Sequence, residues 1–213
     1  AIDPTPTVGM VGLVGKPEHI TSQWFKDEGD AILLLGQAVE SDDPLLGLGG
    51  SALLQVEHGR KEGTPPPCDL AKEKTLHDTL LGLIETGVVK SAHDCAEGGL
   101  AVALAECAIS ELTARQTRRL TGAEIDLSEA DCERLDALLY GEAHGRVIIT
   151  TSEAEAGAAV DRAKLLGVPS ARIGTVTGSD TLDVKAGDNS LSWNLSDLHD
   201  VWWNTIARVM DKK

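Results

Sequence analysis

A chain of 213 residues, 42% hydrophobic and 25% charged, is long enough to bury a sizeable core and has the balance of an ordinary globular protein. Its 19 basic and 34 acidic residues leave a formal charge of −15, which repels polyanions and excludes nucleic acid as a partner over most of the surface. No apolar run approaches the roughly 18 residues of a membrane span, and the first residues show no basic, apolar leader, so no membrane association is expected.

In chain order, Val8 to Val14 is rich in Val and Gly and reads as a strand with close backbone approaches at Gly9 and Gly12. Ala31 to Leu35, announced by the polar turn KDEGD, is a second strand. Ser51 has the residue type of a helix cap, and the short helix it starts stops at Gly59. Arg60 to Asp69, RKEGTPPPCD, reads as a linker, because three consecutive prolines impose an extended path, and a domain boundary is placed there. Beyond it Leu76, Leu80, Leu83 and Ile84 recur at helical spacing, and Gly87 ends that helix.

Val88 to Ala92 is a β-favouring run, and Gly98 and Gly99 open a small-residue, apolar stretch that reads as a buried helix, with Leu100, Ala103, Leu104, Cys107 and Ala108 on one face. A strand is expected at Ala123 to Leu127, with a capping box at Ser128 and Asp131 and a staple from Leu127 to Cys132. Arg146 to Thr151 is a further strand, and Ser152 with Glu155 caps a helix over Ala154 to Leu166 that Gly167 closes. Ala171 to Thr177 and Thr181 to Lys185 are expected to form a hairpin about Gly178 to Asp180. Leu195, Leu198, Trp202, Ile206 and Val209 then line one face of a terminal helix capped by Ser196. Helices alternating with strands argue for an α/β fold with helices layered on a sheet.

The chemistry concentrates at two stretches. The strand–turn–helix from Val88 to Glu106 places Asp94, Gly98 and Gly99 where a helix dipole and unpaired amides favour an anion. Asp94 either holds a phosphate-bound metal or caps the turn, and the two glycines either admit a phosphate or permit tight packing. His93 beside it forms either a proton relay or a structural hydrogen bond. The second stretch, YGEAHGR, sets Glu142, His144 and Arg146 between a helix and a strand, either as contacts to a polar ligand or as an exposed loop in which Arg146 pairs with Glu142. Cys68, Cys95, Cys107 and Cys132 have no C-x-x-C spacing and read as free thiols of a reducing, cytoplasmic compartment, with no metal site. Arg115, Arg118 and Arg119 form the one tight basic cluster, read as a solvated loop.

The segment SAHDCAEGGLAVALAE resembles the H-D-x-x-x-G-G-L-A-x-A-L-A-E signature of the aminoimidazole ribonucleotide synthetase superfamily. PTPTVGMVGLVG, FKDEGDAILLLG, LGGS and RIGTVTG, in that order, are similar to the final third of its formylglycinamidine ribonucleotide synthetase branch. The resemblance implies two homologous halves, each with a barrel-forming part and an α/β layer part. Residues 1–69 would then be the end of a second, barrel-type part, and residues 70–213 a complete α/β domain of the synthetase C-terminal type. It also implies ATP and Mg²⁺ in the whole enzyme, and as partners an upstream half of the same polypeptide, a glutaminase subunit and a small accessory subunit. The family's catalytic histidine lies upstream, so no catalytic residue is expected here. Asp94, Gly98, Gly99, Glu142 and His144 would form an auxiliary phosphate or nucleotide site. Glu142, Ala143 and His144 stand where the first half carries a substrate-touching Glu-Ser-Gln, and Cys95 and Ala96 stand for Val and Ser, so direct substrate contact is not implied. A start at Ala1, close to a core element, suggests a piece of something longer, and unpaired strands near Val8 and Ile32 predict self-association. A non-catalytic scaffold domain, or an ATP enzyme of the selenophosphate or thiamine-phosphate kinase type, is the alternative.

Overall fold

The computed structural model describes residues 6–39, 42–113, 117–130, 132 and 134–211. Nine strands and six α-helices follow one another as β1 (Ala31–Leu35), α1 (Ala52–His58), α2 (Leu70–Glu85), β2 (Ser91–Asp94), α3 (Gly99–Ile109), β3 (Glu111–Thr113), β4 (Thr117–Arg119), β5 (Gly122–Asp126), α4 (Leu135–Tyr140), β6 (Val147–Thr151), α5 (Glu153–Leu165), β7 (Ser170–Thr177), β8 (Thr181–Ala186), β9 (Asn189–Asn194) and α6 (Leu195–Met210), counted among the described residues. The fold is mixed α/β: a seven-stranded sheet in the order β2-β6-β1-β7-β5-β8-β9, with β3 and β4 forming a separate two-stranded ribbon.

The run AILLL explains the centre of this sheet. It carries no apolar–polar alternation, and β1 is buried along its whole length because both faces are covered. Ile32 and Leu34 face one core with Leu100, Leu104 and Cys107 of α3, Leu138 and Leu139 of α4 and Leu195 of α6. Ala31, Leu33 and Leu35 face the other, with Leu76 and Leu83 of α2 and Ala156, Ala159 and Ala163 of α5. The outer strands alternate instead: in β5, Ala123 and Ile125 are buried while Glu124 and Asp126 are exposed, so their second face meets solvent.

Several expectations hold at residue level. Ser51 caps α1 by accepting the Leu54 amide, and Gly59 closes it in the left-handed conformation. Gly167 follows α5 at φ +89°, and no helix or strand forms over 60–69; Asp69, read only as the end of the linker, also caps α2. No helix is long and apolar enough to cross a membrane among the described residues.

Others are corrected. Residues 8–14 form no strand and are exposed, because no described strand lies alongside for them to pair with. Ile32 is not near an open edge: β1 is hydrogen-bonded to β6 on one side and β7 on the other, so it offers no edge for self-association. The sheet therefore draws on residues on both sides of the boundary placed before Leu70. β7 and β8 are not a hairpin, since β5 lies between them, antiparallel to β7 and parallel to β8; the hairpin is β8–β9, about Gly187. Ser128 caps no helix: its amide bonds Asp126 Oδ1 at 2.9 Å, α4 begins only at Leu135, and Asp131 lies outside the described residues. Arg115 lies outside them too, whereas Arg118 and Arg119 belong to β4. Asn194, not Ser196, caps α6, accepting the amides of Ser196 and Asp197. Only the start of α6 packs inward; Trp202, Ile206 and Val209 are exposed.

Candidate functional site

In the central strand–turn–helix the strand forms two or three residues later than its composition indicates, while the helix begins where the two glycines place it. Val88 and Val89 pack beneath α2, pairing begins at Ser91 opposite Thr150, and Asp94 is the last residue of β2. β2 is an edge strand running antiparallel to β6, so the rule that ligands gather at the carboxyl ends of parallel strands has no purchase here. Gly98 and Gly99 then take φ of +83° and +67°, and α3 leaves the turn with its first amides turned inward.

What meets those amides is the chain itself. Glu142 Oε1 accepts the Gly98 amide at 2.8 Å and the Ala52 amide of α1 at 2.8 Å. The Gly99 amide is held by the carbonyl of Ala96 at 3.0 Å. The glycine at 99 is required as well: a Cβ there would stand 2.6 Å from the Gly141 carbonyl oxygen and 2.8 Å from the Tyr140 carbonyl carbon. Gly47 approaches the same loop from the other side, its hypothetical Cβ 2.9 Å from the Glu142 nitrogen. Glu142 in turn donates its own amide to the Gly47 carbonyl at 2.8 Å.

Arg146 is not in an exposed loop and does not pair with Glu142 by hydrogen bond. It is buried and donates Nη1 to Ala38 O at 3.0 Å, Nε to Ala143 O at 3.3 Å, and Nη2 to Gly141 O. Burial pulls its pKa down, while Cys95 and Glu142 nearby draw it back up. Burial likewise pushes the Cys95 thiol up to about 11 and the Cys107 thiol well above its ordinary value, so neither is a poised nucleophile.

The structure thus brings Gly98, Gly99 and Glu142 together and leaves the other expected site residues apart. Asp94 keeps 75% of its side chain exposed, with His93 Nδ1 at 3.6 Å. His144 is exposed and lines a cleft of about 510 Å³ against Asp69 and Glu73 at the start of α2, which none of the other four lines. His93 takes the structural role: its Nε2 and Glu106 Oε2 lie 2.8 Å apart, and Trp202 Nε1 donates to Glu106 Oε1 at 3.2 Å, so β2, α3 and α6 are joined through one carboxylate. The His93 bond chiefly holds the Glu106 carboxyl below its usual range, against the opposing effect of burial.

Two residues of this assembly escape a reading of the sequence. Asp43 is buried and accepts the amides of Leu45 at 2.9 Å and Gly47 at 2.7 Å, shaping the loop that meets Glu142; only its place in the turn-forming run SDDP hints at it. Ala52 contributes through its backbone alone, which no side-chain pattern reveals.

Residues 27–187 match the family described as AIR synthase related protein, C-terminal domain. The chain belongs to that family. Among relatives of the family, the phosphoribosylformylglycinamidine synthase subunit PurL of Anaeromyxobacter dehalogenans is 38% identical over 209 residues, which is 97% of this chain and 26% of the relative. The PurL subunit of Deinococcus radiodurans is 40% identical over 216 residues, 99% of this chain and 27% of the relative. The chain therefore spans about a quarter of the length of the curated relatives it matches. T. maritima PurL complexed with FGAR superposes with a TM-score of 0.67 at 19% identity, over 86% of this chain and 30% of that one, a likeness of fold.

The family resemblance implies ATP and Mg²⁺, and the turn does not fit a phosphate. Its Gly98 amide is already bonded to a carboxylate that would repel one, and the Gly99 amide is bonded internally. No group of three His, Cys, Asp or Glu side chains is arranged as metal ligands among the described residues.

Proposed function

We propose that this chain is the carboxy-terminal part of a longer ATP-dependent synthetase that converts formylglycinamide ribonucleotide to formylglycinamidine ribonucleotide in purine biosynthesis. The observation that carries this reading is an identity of 38–40% to PurL subunits running through 97–99% of the chain. In this reading the whole enzyme uses ATP and Mg²⁺ in the cytoplasm and receives ammonia from a glutaminase subunit assembled with a small accessory subunit. The 213 residues alone are inactive, because the family's catalytic histidine lies in the upstream half.

Within that enzyme the contribution of this chain is structural. The turn that most resembles a phosphate site spends its amide on Glu142, and three loops are tied there. Residues ahead of β1, apolar and exposed at Val8, Met10, Val11 and Leu13, are the part that would join the preceding barrel. An auxiliary nucleotide role would rest on the exposed Asp94 and His144; calorimetry with ADP and Mg²⁺ tests it, and an absence of heat removes it.

The test of the main reading is growth. A gene that carries this segment with its upstream half should restore purine-independent growth to a strain lacking the enzyme, and the segment alone should not. Failure of the long gene where the Anaeromyxobacter subunit succeeds would refute the assignment. Growth on the segment alone would refute its inactivity.

A further inference from the structure

One carboxylate oxygen receiving two backbone amides is the arrangement that binds an anionic ligand, and here both amides open helices. Glu142 reaches across 90 residues of sequence to Ala52 and 44 to Gly98. Its surroundings are built to keep it there. The loop that carries it is pressed backbone to backbone by Gly47 and Gly99, where a side chain would collide, and by Gly36, whose Cβ would overlap the Gly145 carbonyl. From beneath, Arg146 ties Gly141, Ala143 and Ala38 with a buried guanidinium, giving the carboxylate a nearby positive charge.

We propose that Glu142 is an internal stand-in for an anionic ligand, a carboxylate latch that occupies the amides at Gly98 and Ala52 and so joins the α1, α3 and 140–146 segments in a closed state. A ligand anion is excluded from the turn for as long as the latch is seated. Removing the side chain beyond Cβ opens a space shaped for a small monocarboxylate, with the two amides and the Arg146 charge still in place.

The experiment is chemical rescue. Glu142→Ala should lower the melting temperature of the 213-residue chain by about 5–10 °C, since charge-assisted hydrogen bonds are among the stronger ones and a domain of this size loses a few degrees for each such increment. Sodium formate should then raise the melting point of E142A saturably, and that of the unsubstituted chain no more than sodium chloride of equal ionic strength does. Equal effects of formate on the two proteins, or no loss in E142A, would overturn the latch. Should E142A not fold, Glu142→Gln, which keeps the shape and loses the charge, is followed by amide hydrogen exchange. Gly98 and Ala52 should lose protection together, by about tenfold, as expected when bonds to a charged acceptor become neutral ones. The Gly99 and Leu54 amides, bonded to Ala96 and Ser51, should not change. Loss at only one of the two amides, or at neither, would equally refute the proposal.

Discussion

Arg146 shows how much one residue carries here. A guanidinium with three carbonyl partners and no hydrogen-bonded carboxylate is affordable in the interior because its fork satisfies three otherwise separate loop carbonyls at once. Arg146→Met should cost about 3 kcal/mol in chemical denaturation, the scale of leaving buried polar groups unpaired, and Arg146→Lys should recover only part of it. Glu106 makes a pH-dependent contribution of definite sign. Its carboxyl is held below the ordinary range by His93, so the stabilisation is complete above the ordinary carboxylate range and is lost as pH falls through the lowered folded value. Melting points measured from neutral to acid pH should therefore fall less steeply in Glu106→Gln than in the unsubstituted chain.

At the scale of elements, glycines separate what is structural from what is merely present. Gly99 sits at φ +67° with no room for a Cβ beside Gly141, so Gly99→Ala should destabilise by about 2–4 kcal/mol, through backbone strain and overpacking together. Gly157, inside α5 and with nothing within 4 Å of its ideal Cβ, is the counterpart. Gly157→Ala should stabilise by about 0.5–1 kcal/mol, because it restricts the unfolded chain at no steric cost. Thermal or urea unfolding of the two variants gives the opposite signs directly. The elements most legible in the sequence are those with their own punctuation: β1 after its acidic turn, α1 between Ser51 and Gly59, α2 between the proline-rich linker and Gly87. The β3–β4 ribbon gives no apolar–polar alternation above that of a loop, and β9 alternates over only two apolar residues, Leu191 and Trp193, too few to mark a strand.

At the scale of the molecule, β1 decides how the chain divides. It lies in the sheet between β6 and β7 and contributes alternate side chains to both cores, so the proline-rich stretch at 60–69 connects segments that share one sheet. A polypeptide of residues 70–213 leaves β6 and β7 each with one unpaired edge, splits the sheet in two and should show no cooperative melt by circular dichroism, whereas the 213-residue chain should. A sharp transition in the shorter polypeptide would show that the segment from Leu70 folds on its own and support a boundary there.

Of the candidate site, the sequence alone determined that Gly98 and Gly99 open a buried helix, because the small-residue, apolar run that follows them is a local property; their positive φ came from the structure. It also determined the family, through motifs that keep their order along the chain. Only the tertiary structure decided what that turn does. Glu142 lies 44 residues away, and its carboxylate reaches the Gly98 amide because β6 pairs with both β2 and β1, returning the 140–146 loop against the start of α3. Pairing between distant strands depends on which faces can be buried together, and no window of neighbouring residues encodes that choice.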